Sequence, residues 1–218
     1  MTRVSGTVLG EAARRDWRAV ARDWGPAGNK RLTASTGLVL FVLLAAETLT
    51  TLALRTYLSV HIFLGLLLLP PVALKFATTG WRFMRYYTRD HGYRFEGAPR
   101  PLLRVLAPLL VVSTLSLFGS GVALIAVGSG GGVLRTVHTL SFIAWGALMI
   151  VHVLAYLRRS LRVGTSDWRR AAGGVVAGAR TRRAALVAAL LAGVILALAT
   201  YPAQQAWLIH HHDRHLAR

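Results

Sequence analysis

The sequence predicts an all-α polytopic membrane protein, a four-helix transmembrane bundle with a fifth, peripheral transmembrane helix, and three observations predict it. First, 54% of the 218 residues are hydrophobic, and they gather in five runs, at residues 36–54, 57–79, 105–127, 134–157 and 184–207. Each run approaches the roughly 20 residues a helix needs to cross a hydrocarbon layer about 30 Å thick. Second, charge is segregated from these runs: 26 Lys and Arg face only 8 Asp and Glu, a formal net charge of +18. Third, the run at 134–157 carries two histidines, His138 and His152, although ionisable groups are costly inside a bilayer and mark functional sites by default.

The basic residues set a topology. Seven precede the first run, six follow the second and eight follow the fourth, whereas only Arg55, Arg135, Arg214 and Arg218 fall on the alternate side. The positive-inside rule therefore predicts an inner-membrane protein with a cytoplasmic N-terminus and an extracytoplasmic C-terminus. The basic excess reads as topology and contact with anionic lipid, and nucleic acid is not an expected partner. The absence of cysteine excludes disulfides, thiolate-held iron–sulfur clusters and covalently attached c-type haem.

Residues 1–35 form a basic N-terminal segment, too polar for a cleaved signal peptide, so the first apolar run is expected to act as a signal anchor. Trp17 and Trp24 suit a short surface helix ended by Gly25-Pro26, or a partly ordered tail. Residues 36–157 hold the four-helix bundle. The first run contains Glu47, the only acid in any run, which can serve a proton or quinol site or simply contact Thr48, Thr50 or a neighbouring helix. A very short connection around Arg55 makes the first two runs a tight hairpin.

His61 enters the second run about four residues from its outer end, and His138 does the same in the fourth. Two imidazoles on different helices thus reach one depth. Fourteen residues turn through nearly four revolutions, so His138 and His152 leave one face about 21 Å apart. The same offset from His61 reaches Lys75. Lys75 can snorkel to headgroups, contact a haem propionate or ligate a metal when neutral. Pro70-Pro71 is expected to bend the second run just before it.

The third run has no ionisable group, but Gly119 and Gly121, with Gly65 and Gly146 on other helices, would admit close packing or a flat macrocycle. The basic, aromatic loop after the second run suits the interface and suggests short amphipathic structure; its His91 reads as a surface histidine. The GSGGG stretch at 128–132 lacks the strand of a nucleotide loop and reads as an external turn. Residues 158–183 form a cytoplasmic basic loop, 184–207 the fifth, lipid-facing helix, and 208–218 an extracytoplasmic tail with His210, His211, His212 and His215, a weak and unselective metal binder.

Two neutral imidazoles across an interhelical slot with apolar walls are what a non-covalent b-type haem requires, and His61 and His138 meet that on depth. Arg55 and Arg135, at the outer ends of the same two helices, are placed to pair with propionates. The pattern VHTLSFIAWGALMIVHVLAYL at 137–157, with SVHIFLGLLLLPPVALK at 59–75, resembles the membrane-embedded b-type cytochromes. These include the di-haem cytochrome b subunits of bacterial hydrogenases and formate dehydrogenases. The resemblance covers roughly residues 36–157. It implies a four-helix bundle holding haem and passing electrons between quinone, or a cytoplasmic donor, and an extracytoplasmic partner, by analogy a molybdopterin-type oxidoreductase.

It also implies an outer haem on His61 and His138 and an inner haem with His152 on one side. Lys75 stands where a fourth histidine would complete the di-haem pattern, so one haem b is expected and a second is open. The chain has no flavin or nicotinamide motif, so electrons would have to arrive from another subunit or a lipid-soluble carrier, and an electron-transfer subunit is expected in preference to a stand-alone enzyme. The competing expectation is a permease with a histidine-lined path, or a non-redox membrane scaffold, either of them colourless.

Overall fold

A computed structural model describes residues 25–95, 101–127, 132–165 and 178–205. Among the described residues the chain is helical and has no strand: α1 (Pro26–Thr51), α2 (Leu54–Tyr87), α3 (His91–Phe95), α4 (Pro101–Val127), α5 (Gly132–Gly164) and α6 (Ala179–Ala199). The five long helices are each long and apolar enough to cross a membrane. The fold is that of an all-α, multi-pass membrane protein. The segment bearing Trp17 and Trp24, most of the 128–132 turn and the histidine-rich tail lie outside the described residues.

Every long helix begins before the apolar stretch that announced it, because a helix can start in polar residues. At the start of α1, Gly25 is the extended N-cap (φ −66°, ψ −178°) and proline occupies the first turn, where its missing N–H costs no hydrogen bond. Gly25-Pro26 therefore begins the first spanning helix, ten residues before its apolar run. The α1–α2 connection is only Leu52 and Ala53, as the tight hairpin requires, and Arg55 falls inside the first turn of α2. That turn is set off by Tyr57, whose φ −107° and ψ 19° interrupt the helix.

Helix α2 is the hub, flanked by α1 and α6; α5 packs against α4 and, on its other side, against α1. Between α2 and α4 contact is sparse. Side chains such as Val42, Val112, Leu140, Leu154 and Ile195 remain exposed on the outside. Such a surface is untenable in water over this area and is what lipid contact demands.

The expected bend at Pro70-Pro71 is not where α2 breaks: its one non-helical residue is Tyr57, and the helix runs on through both prolines. Pro71 has no N–H to give the Leu67 carbonyl, so that acceptor must be satisfied elsewhere. Gly193 of α6 supplies the neighbour. A Cβ there would overlap the Leu67 carbonyl oxygen, so the α6 backbone lies directly against the freed group, in the manner of a Cα–H···O contact. The fifth helix sits at the edge of the bundle with Val187, Leu191, Ile195 and Leu198 outward, yet this glycine binds it tightly to α2. Ala197 on the same helix joins Ile62 and Leu66 in the buried core.

At the end of the bundle remote from Arg55, polar side chains fasten helices to one another. The Asn29 amide donates to the Thr78 carbonyl at 3.0 Å, and Ser35 Oγ donates to the Gly164 carbonyl at 2.9 Å. Gly164 is obligatory there, since a Cβ would meet Leu38 and the Ala34 backbone. Past α2, Arg89 adopts a left-handed conformation (φ 63°) and Asp90 caps the short α3 through the Gly92 N–H at 3.0 Å while accepting from Arg85 at 2.5 Å. This is the short structure expected in the basic loop. His91 opens α3 and is exposed.

Candidate functional site

The described structure brings His61 of α2 and His138 of α5 together: their ring centres are 6.4 Å apart with planes at 84°. Each ring is held by its Nδ1. On His61, Nδ1 lies 3.0 Å from Glu47 Oε1 and 2.9 Å from Thr50 Oγ1. The Thr50 hydroxyl proton goes to the Glu47 carbonyl at 2.6 Å, so towards the ring Thr50 can only accept. With Glu47 ionised, both partners of this nitrogen accept, and the proton of His61 sits on Nδ1. On His138, Nδ1 lies 3.1 Å from the Leu117 carbonyl, which has no proton to give, and the same tautomer follows. Ser120 Oγ, 3.1 Å from this nitrogen, donates to the carbonyls of Ser116 and Leu117.

With Nδ1 protonated and satisfied on both rings, the lone pair of each imidazole resides on Nε2, and no hydrogen bond among the described residues engages either Nε2. Metal-binding histidines are prepared in this way, by a carbonyl or carboxylate on the far nitrogen. Imidazole–metal bonds are about 2 Å long and the ring centre lies about 1 Å behind the ligating nitrogen, so ring centres about 6 Å apart can frame one metal atom. No group of three or more His, Asp or Glu placed to hold a metal ion occurs among the described residues. The carboxylate of Glu47 lies behind the His61 imidazole, at its Nδ1.

The glycines divide by role. Gly121 lies under His138: a Cβ there would come within 3.2 Å of the ring's Cε1, so the missing side chain is what lets the imidazole rest on the α4 backbone. Gly65 borders the Glu47 carboxylate, 3.4 Å from Oε1. Gly119 and Gly146 have nothing within 4 Å of where a Cβ would stand. Ser116 and Ser141, hydrogen-bonded at 2.7 Å, clasp α4 to α5.

Arg55 and Arg135 are both exposed, in the first turns of the helices that carry His61 and His138. Lys75 and His152 behave differently from the outer pair. The Lys75 ammonium donates to the Thr33 carbonyl at 2.7 Å, in space left by Gly37, while His152 packs its ring against Tyr156 at 4.9 Å. The two are near enough for the lysine charge to be felt at the imidazole. The hold that Thr50, Ser120 and the Leu117 carbonyl have on the two rings escaped the reading of the sequence, which named Thr50 only as a contact of Glu47. Their signal was depth: each lies on the neighbouring hairpin arm at the level of the histidine it holds.

Comparison of the chain with protein-family models, with curated proteins and with solved structures finds no match.

Proposed function

We propose that this protein is an integral membrane b-type cytochrome that carries electrons between a quinone pool or cytoplasmic donor and an extracytoplasmic redox partner. One observation carries the reading. His61 and His138, on different membrane helices, are each tethered by Nδ1 and meet with ring centres 6.4 Å apart, leaving two Nε2 lone pairs for one iron. The lack of cysteine requires any haem to be held non-covalently, as this arrangement would do.

In this reading His61 and His138 would hold the haem iron, Gly121 gives room at the ring of His138, and Arg55 and Arg135 are the cations available to propionates. Haem would supply a one-electron couple. The chain's own residues would fix the ligand tautomers and set the depth of the site. A single haem b is favoured, because Lys75 already gives its ammonium to the Thr33 carbonyl and His152 is left without a second ligand opposite it. The distribution of basic residues supports a plasma-membrane protein with a cytoplasmic N-terminus, which places the His61/His138 site towards the extracytoplasmic surface.

The decisive experiment is a visible spectrum of the purified protein before and after dithionite, with pyridine haemochrome stoichiometry. A Soret band, a reducible α band and about one haem per chain are expected, the stoichiometry unchanged in His152→Ala. A colourless protein would refute the cytochrome and leave the histidine-lined permease or scaffold.

A further inference from the structure

Glu47 is the only acidic residue in any of the five apolar runs, and an acid at this depth needs a reason. Its position is specific. Oε1 reaches across the α1–α2 hairpin to Nδ1 of His61 at 3.0 Å, its side chain is only 14% exposed, and Gly65 of α2 leaves the carboxylate its space. Oε2 is buried and has no hydrogen-bond partner, so burial of this carboxyl group is compensated at Oε1 alone. The other imidazole has no acid behind it, only the Leu117 carbonyl and Ser120.

We infer that Glu47 is the positioning residue of the His61 ligand: by accepting its Nδ1–H it fixes the tautomer and turns Nε2 towards His138. The inference rests on the haem reading and deepens it. Thr50 shares the task but is itself pinned to the Glu47 carbonyl, so residues 47 and 50 form one clamp on the last turn of α1. The clamp also ties the hairpin to ligand geometry, because the ring lies on α2 and its support on α1. Outer partners of this kind typically alter metal affinity about 10–100-fold when removed.

The test is haem titration of the full chain, produced haem-free and held in lipid nanodiscs, for wild type, Glu47→Leu, Glu47→Gln and Glu47→Asp. Glu47→Leu, apolar and suited to a membrane helix, should weaken haem binding about 10–100-fold and replace the low-spin bis-imidazole spectrum by a high-spin or mixed one. Glu47→Gln keeps an acceptor at the same reach and should restore the low-spin spectrum. Glu47→Asp draws the oxygens back by one methylene and should fall between them, which keeps the inference testable if the leucine variant does not accumulate. Wild-type affinity and spectrum in both Glu47→Leu and Glu47→Asp would overturn it, as would a glutamine variant as impaired as the leucine one. Failure of the wild type itself to bind haem would sink the cytochrome reading and this inference together, whereas the variant outcomes bear on Glu47 alone.

Discussion

The two ends of the bundle hold similar polar residues and use them in opposite ways. At the end carrying Lys75, side chains spend their donors on backbone carbonyls of other helices: Asn29 on Thr78, Ser35 on Gly164, Lys75 on Thr33. These are staples between helices. At the end carrying His61 and His138, side chains and a carbonyl restrain the back of each ring, and the front nitrogen stays uncommitted. Polar groups inside a membrane are therefore not interchangeable evidence of function. What separates a fastening from a ligand is whether a donor or lone pair is left over once the local network is complete.

That contrast can be broken most severely at the imidazoles. On the proposed haem reading, His61→Ala or His138→Ala should abolish the Soret band while the protein remains in the membrane at near-normal levels, as an absorbance scan against protein content would reveal. Next come two glycines. Gly193→Leu forces α6 off the Leu67 carbonyl and should cost about 1–3 kcal/mol of stability, lowering the detergent melting temperature with little change in the spectrum of surviving protein. Gly121→Val drives a side chain into the His138 ring and should do the reverse: haem retention falls sharply while the melting temperature of the haem-free chain moves less.

Smaller effects sharpen the comparison at the stapled end. Lys75→Met keeps the length and removes the ammonium, and should cost about 0.6–1.7 kcal/mol with haem stoichiometry intact. Loss of a haem in this variant would make Lys75 part of a cofactor site and erase the distinction between the two ends. Asn29→Ala should be the mildest, about 0.6 kcal/mol in a denaturation midpoint and nothing in the spectrum.

The number and order of the long helices were legible in residue type alone, since five apolar runs and alternating basic loops leave little freedom in a bilayer. Their ends were not, because α1 and α2 continue through polar residues that hydropathy discounts. The pairing of His61 with His138 was legible as well, from equal depth. The fourteen-residue offset went further and implied that Lys75 and His152 repeat that pair. At the inner level Lys75 has a different task from the histidines: its ammonium donates to the Thr33 carbonyl near the start of α1.

The sequence by itself determined that the chain is membrane-spanning and helical, because a bilayer demands apolar length and internally satisfied backbone, and both are properties of a run of residues read one at a time. Only the tertiary structure decided which nitrogen of each imidazole is occupied, that Glu47 rather than Thr48 faces His61, and that Gly193 covers the carbonyl freed by Pro71. Those depend on the rotation of one helix against another, set by close contacts at a few small residues, and no periodicity along a single helix encodes it.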